Sequence, residues 1–414
     1  MSIRYKLLIT GARQIVQITT SNDVTFLRGV HDMNNIKLSE LQLSKMADKD
    51  GCQSRLSANG GVILPGLVDA HTHPIFAGDR VHEFAMKLAG ATYLEVQKTG
   101  GGILFTMEKT RAASEEELLG DFEERVLMMI KNGTTTLEAK SGYGLNTLAE
   151  MKMLRVIDMA AGYLPIEIVG TFCGGHAIPK DSDEETQTNL IIDEMIPEIV
   201  KEKQEGRLTA IKNIDVFCEK GNFGVDATRR ILAAGKKHGL DINFHAEELN
   251  YIGGAEMGAS LQARAMSHLE NISEEGIKAM SASGTAAVLL PTTAFTLRIK
   301  PPPARQMIDE GVIVALGSDF NPNAYCLAMP MVMHLACINM RMSMSEALVA
   351  ATINSAYALG LGRTHGALTA GRYGDAIVIN QPKWEHLIYQ FGCHNFIIDA
   401  VIKNGNIVYS KEPL

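Results

Sequence analysis

In Asp69-Ala70-His71-Thr72-His73, two imidazoles stand two residues apart at the end of a short apolar run. If that run is a strand, its alternation sends both side chains out of the same face. Two imidazoles so placed reach one cation at Zn–N distances of about 2.0–2.1 Å. Three more groups close other apolar runs: His245 follows DINF, His268 follows AMS, and Asp319 follows VIVALGS. His245 would add a third nitrogen and Asp319 an oxygen. Imidazoles with one carboxylate and an open position suit a catalytic zinc or iron ion, whereas magnesium takes oxygen ligands. Such an ion lowers the pKa of a bound water to about 7 and supplies hydroxide at neutral pH. An HxH pair alone is equally at home as hydrogen-bonding residues in a turn. The strand-end positions of His245, His268 and Asp319 tip the reading to a metal site.

These groups meet only if the elements that carry them converge. Eight short runs read as strands: GLVDAHT (66–72), TTTLEAK (134–140), IEIVGTF (166–172), NIDVFCE (213–219), DINFHAE (241–247), AMSHLE (265–270), AAVLLP (286–291) and VIVALGSD (312–319). Helical patterns separate them, among them 114–133, 146–160 and 226–239. Ser114 is placed as an N-cap with Glu117 completing a capping box, and Gly133 and Gly239 stand where helices stop. Strand alternating with helix predicts an α/β fold with a parallel sheet, and eight such units predict a closed (β/α)8 TIM barrel. Barrels carry their reacting groups at the C-terminal ends of the strands. The HxH pair, His245 with Glu247 and Glu248, His268, and Ser318-Asp319 occupy four such ends. The rival architecture, a doubly wound open sheet, wants a glycine-rich phosphate loop after its first strand. HTHP stands there instead, and the GGG at 100–102 reads as a flexible loop after a helix.

Both ends of the chain are β-rich. KLLIT, QIVQI and VTFL lie within residues 5–30, and DAIVI and AVIKNGNIVY lie within 366–410, where Asn404-Gly405 signals a hairpin. These ends are expected to pair into a small sheet unit, 1–65 plus 365–414, beside a barrel at 66–364, with a polar, irregular excursion over 31–60. The formal net charge of -8 over 414 residues argues against a nucleic-acid partner. Six cysteines without a CxxC pair exclude zinc-ribbon and redox motifs. The start MSIRYKLLIT lacks the apolar core of a signal peptide. No apolar run reaches the roughly 20 residues needed to span a bilayer. The expectation is a cytoplasmic protein with reduced thiols and no membrane contact.

The segment VILPGLVDAHTHP (62–74) resembles the opening signature of the amidohydrolase superfamily. FAGDRVHEF (76–84), GATYLEVQKTGGGI (90–103), KSGYGL (140–145), NFHAEEL (243–249), SHLE (267–270), LLPTTAF (289–295) and GSDFNPN (317–323) are similar to the imidazolonepropionase family within it. The resemblance spans essentially the whole chain, and its GDR, SGYGL and GGGI elements are far more specific than HxH. It implies a barrel flanked by a small β-sandwich built from both termini. It also implies a hydrolase that opens the cyclic amide of 4-imidazolone-5-propanoate to N-formimidoyl-L-glutamate in histidine degradation, and a homodimer.

Carried over residue by residue, the resemblance implies metal ligands His71, His73, His245 and Asp319. It places Arg80, Tyr143 and His176 on the substrate, Glu248 and His268 beside the scissile amide, and Asn321 against the opened ring. Arg80 offers a planar fork for the propionate carboxylate, although without the family context a solvated loop arginine is the plainer reading. Tyr143 and His176 would donate to the ligand; turn packing and a structural loop histidine are their plain alternatives. Glu248 would shuttle a proton at the ring nitrogen, with Asp319 the other candidate base. His268 would hydrogen-bond the carbonyl oxygen as it gains charge, or serve as a further ligand. Glu247 reads as structural. Where the bacterial pattern has a glycine and a small hydroxyl residue, Asn323 and Ala324 stand, so any product contact through a hydroxyl at 324 is lost. No lysine ends the third or fourth strand, and the family does not bridge metals through Lys140, so one metal ion is expected. The rivals are another cyclic amidase or aminohydrolase of the superfamily and, outside enzymes, a non-catalytic scaffold on the same fold.

Overall fold

The computed structural model describes residues 5–39, 52–90 and 101–411. Among them the strands run in order β1 (Tyr5–Thr10), β2 (Gln14–Ile18), β3 (Lys37–Ser39), β4 (Cys52–Ser57), β5 (Val62–Pro65), β6 (Leu67–Asp69), β7 (Thr134–Lys140) and β8 (Glu167–Gly175). They continue as β9 (Ile211–Cys218), β10 (Asp241–Ala246), β11 (Ala265–His268), β12 (Ala286–Leu289), β13 (Ile313–Leu316), β14 (Ala376–Ile379), β15 (Ile398–Lys403) and β16 (Asn406–Ser410).

Strands β6 to β13 pair in sequence order, all parallel, as the alternation of strand and helix predicts. The sheet closes because the chain beyond β6 runs alongside the chain at β13: Ala70 N–H reaches Leu316 O (3.4 Å), Asp319 N–H reaches His71 O (2.9 Å) and His73 N–H reaches Phe320 O (2.8 Å). The seam that closes the barrel is therefore the stretch that carries both HxH histidines and Asp319. Gly317 makes that seam possible, since a Cβ there would lie 2.8 Å from His71 Cβ and 2.9 Å from its backbone nitrogen. All eight expected strands form. Some are shorter than read: AMSHLE stops pairing at His268 and VIVALGSD at Leu316, where the chain turns into the site.

The helices follow local chemistry. The helix Glu115–Lys131 starts on the expected capping box, with Ser114 Oγ accepting from Glu117 N (3.1 Å) and Glu117 Oε2 accepting from Ser114 N (2.8 Å). It stops at Gly133, whose φ of 93° lies in the left-handed region that glycine enters without penalty.

The chain ends form a second layered unit. Strands β16, β15, β14, β5, β2 and β3 make one sheet, and the parallel pair β1–β4 makes another. Leu7, Ile9 and Leu56 of the pair pack on Ile15, Ile63, Val378 and Ile402 of the larger sheet, which gives the sandwich its own small core. Asn404 and Gly405, at φ 52° and 75°, turn β15 into β16 as the dipeptide predicts. Two expectations fail here. VTFL is not a strand; its backbone instead pairs with the Asn354 amide, which accepts from Leu27 N at 2.8 Å. The 31–60 excursion is not structureless, since it contains part of a helix (Gly29–Asn34) as well as β3 and β4, while residues 40–51 lie outside the described residues. Of the GGG, Gly100 lies outside them too. Gly102 does not float: it opens the helix Ile103–Ala112, and its N–H is held by Glu83 Oε1 at 2.8 Å.

Candidate active site

At the C-terminal mouth of the barrel the four expected ligands converge. His73 Nε2 lies 3.1 Å from His245 Nε2 and 3.3 Å from His71 Nε2. Asp319 Oδ1 lies 3.5 Å from His71 Nε2 and 3.7 Å from His73 Nε2. Two nitrogens bound to one ion at tetrahedral angles stand about 3.3 Å apart, so this is the spacing of a shared cation.

The proton bookkeeping agrees. A neutral imidazole has one N–H and one lone pair. His245 Nδ1 is 2.9 Å from Asp215 Oδ1, so this ring spends its N–H on the carboxylate, away from the cluster, while His71 Nδ1 is 2.8 Å from Ser267 Oγ, a hydroxyl that donates or accepts. The His245 Nε2 lone pair is thereby turned into the buried cluster, where a cation can take it. Burial, followed by the charge of Lys140 and the neighbouring imidazoles, holds His71 well below the usual histidine range. Burial, then His176 and His245, does the same to His73. The neutral form so favoured is the form that ligates.

Behind the ligands lies a polar layer that sequence reading missed. Asp215 accepts from His245 Nδ1 and, through its other oxygen, from Lys140 Nζ at 2.6 Å. Lys140 also reaches Glu138 (2.9 Å), which in turn accepts from Thr171 Oγ1 (2.5 Å) and Asn243 Nδ2 (3.1 Å). Burial disfavours the Asp215 charge, but His245 and Lys140 outweigh it and hold its pKa below the usual range. Thr293 Oγ1 donates to Asp319 Oδ2 at 2.5 Å, fixing the fourth candidate ligand. A signal for this layer was available: Asn213, Asp215 and Phe217 alternate on one strand, so a carboxylate occupies a register that points into the barrel.

The remaining expected residues line a cavity of about 450 Å³ that opens from the cluster. His268 sits between two carboxylates, with Nε2 3.7 Å from Glu248 Oε2 and Nδ1 3.7 Å from Glu270 Oε2. Burial opposes its charge, yet Glu248 and Glu270 raise it to about 10, which makes it a hydrogen-bond donor. Burial in turn pushes Glu248 up to about 7 against the pull of His268. His176 stacks on His73 (centroids 4.6 Å, 14° between planes), and its Nδ1 lies 3.0 Å from Gly142 O. It comes within reach of His73 and His245 as a further potential ligand, a proximity its loop position did not reveal. Tyr143 packs edge-on to Phe76 and tilts toward His176.

Two residues are more committed than expected. Arg80 gives both Nε (2.7 Å) and Nη2 (2.6 Å) to buried Glu83, so one side of its fork is occupied. Asn321 builds a turn: its Oδ1 accepts from Asn323 N (2.7 Å) and Ala324 N (3.1 Å), and its Nδ2 donates to Asp319 O (2.7 Å). Glu247 is structural as read. At φ 58°, it accepts from Gly253 N (3.0 Å) and Gly254 N (2.8 Å) at the start of the next helix.

Comparison with known proteins gives consistent results. Residues 62–408 match the amidohydrolase family. A Mus musculus protein named "Probable imidazolonepropionase" is 58% identical over 369 residues, covering 89% of this chain and 86% of its own length. A Nematostella vectensis protein of the same name is 54% identical over 98% of this chain and 99% of its own. Among solved structures, an adenosine deaminase from Xanthomonas campestris with bound zinc superposes with a TM-score of 0.71 at 17% identity, covering 99% of this chain and 94% of that one, a likeness of fold.

Proposed function

Since the chain belongs to the amidohydrolase family and, within it, to the imidazolonepropionases, we propose that the histidine cluster is the centre at which it carries out that hydrolysis. The protein is a hydrolase that opens the cyclic amide of 4-imidazolone-5-propanoate to N-formimidoyl-L-glutamate, a step of histidine degradation. One observation carries the placement of the reaction: three Nε2 atoms and Asp319 Oδ1 meet at the floor of the cavity.

The donor set fits a metal ion, which His71, His73, His245 and Asp319 would hold. When bound, such an ion supplies Lewis acidity and a more acidic water. The chain's own groups do the rest. Glu248, at a pKa near 7, and Asp319 are placed to take the proton as water adds to the ring carbonyl. His268, kept protonated by its two carboxylates, donates to the carbonyl oxygen as that oxygen gains charge. Glu248 then returns its proton to the departing ring nitrogen, and the C–N bond breaks. Tyr143, His176 and the Arg80 wall orient the propionate, and Asn321 shapes the turn beneath the product.

One ion, zinc or iron, is our reading. Lys140 is held between Asp215 and Glu138, which supports its role as a charge behind the ligands rather than a bridge between two metals. We also take the protein to act as a cytoplasmic homodimer, with 66–364 as the catalytic unit and 1–65 plus 365–414 as the small β unit. All six cysteines are free thiols, which fits a reducing compartment; among the described residues no helix is long and apolar enough to cross a membrane.

The test is absorbance-monitored turnover of freshly prepared 4-imidazolone-5-propanoate, with metal content measured on the same sample. His73→Ala should lose both metal and turnover. Near-normal turnover by metal-stripped protein would refute the reading.

A further inference from the structure

We infer that Lys87, held at the cavity wall by Asn323, is a second cation, beside Arg80, that selects an anionic substrate tail; the inference rests on the cavity being the substrate site proposed above. Arg80 opens the helix Val81–Leu88 and Lys87 lies two turns further along it, and both line the cavity together with Tyr143 and His176. Arg80 is the obvious anion binder; Glu83, itself buried, takes its Nε and Nη2, which offsets part of its charge and leaves the Nη1 side of the fork outside that contact. Lys87 differs. Its ammonium donates to Asn323 Oδ1, a neutral amide, and Glu83, the carboxylate nearest on its own helix, is already committed to Arg80 and Gly102.

An amide acceptor positions an ammonium without cancelling its charge, so the full unit stays available to a ligand. Among the described residues, the carboxylates on the lining, Glu248 and Asp319, belong to the histidine end of the cavity. Arg298 also borders it but is exposed. Lys87 is half-buried, so its charge is less screened than that of a surface lysine. Asn323 is fixed in turn, since its N–H is held by Asn321 Oδ1 at 2.7 Å in the turn that follows Asp319. The ammonium is thereby tied to the segment that carries a candidate metal ligand, which sets the distance between the reacting end and the anion end of the cavity.

The experiment titrates metal-loaded protein with imidazole-4-propionate and, separately, with imidazole-4-propionamide, which differs only in lacking the charge. Lys87→Met should weaken the anion's binding about tenfold relative to the amide's, equivalent to about 1.4 kcal/mol. Lys87→Arg should restore most of the preference. Asn323→Asp, which gives the ammonium a carboxylate to hold instead, should lower it as Lys87→Met does, and decides the matter if Lys87→Met fails to fold. An unchanged anion-to-amide ratio in the folded Lys87→Met protein, or in Asn323→Asp where that variant decides, overturns the inference. So does an equal loss in Lys87→Arg. Turnover of 4-imidazolone-5-propanoate by the wild-type protein is measured alongside. Its absence would remove the functional reading and this inference with it, whereas turnover with an unchanged ratio removes the inference alone.

Discussion

At the scale of single residues, the site is a set of ligands oriented from behind. Asp215 fixes which nitrogen of His245 faces the cluster, and such partners are typically worth 10–100-fold in metal affinity or activity. Asp215→Asn should therefore lower both metal affinity and turnover by about that range, read by metal titration beside the activity assay; an unchanged affinity would count against the role. Lys140 behaves differently because it neutralises two carboxylates that, like it, are closed off from solvent. Lys140→Met should leave Asp215 and Glu138 uncompensated and cost about 3–5 kcal/mol in unfolding free energy. The four candidate ligands could be picked out in the sequence because strand ends and residue types mark them locally. Asp215 shows in the sequence only as a carboxylate in an inward register and Glu83 not at all, because their importance is a matter of which side chain they touch, across 30 residues in the case of Asp215.

At the scale of elements, barrel closure and ligand placement are one feature. Gly317 lets the last strand approach His71, and an added methyl there must displace the HxH backbone. Because a shift of about 1 Å at reacting groups can cost about 10²-fold, Gly317→Ala should lower turnover by roughly that factor, with a smaller effect on thermal unfolding. A loss of stability with activity per folded molecule intact would refute the coupling. The helix that begins at Glu115 is independent of the chemistry: Ser114→Ala should cost about 1 kcal/mol of stability and leave turnover per folded molecule intact. Its capping box and the Asn404-Gly405 turn were legible because their signals are local. VTFL was not, because four β-prone residues become a strand only if a partner edge is available, and here the Asn354 amide takes that backbone instead.

At the scale of the whole molecule, His365 sits where the small β unit meets the barrel, its Nε2 3.8 Å from Asp375 and 3.9 Å from Glu167. Burial, reinforced by the Lys403 ammonium and only partly opposed by Asp375, holds its pKa at about 4. The unfolded chain takes up this proton near the ordinary histidine value of about 6.5, so between the two values the unfolded state binds more protons than the folded one. Stability should accordingly fall as pH drops from about 6.5 to 4, by on the order of 3 kcal/mol from this group. Replacing it by His365→Gln should flatten that part of the pH–stability curve, measured by denaturant unfolding at several pH values; an unchanged slope would exclude His365 as its source.

The sequence alone determined which groups could hold a metal and that alternating strands and helices would gather them at one mouth, because periodicity and residue type act over a few neighbours. Only the tertiary structure decided what surrounds those groups. It set Asp215 and Lys140 behind His245, bound Arg80 to Glu83, and left Lys87 on a neutral amide. Whether a charge is spent or available depends on distances between atoms far apart in the chain, and those are fixed only when the barrel closes.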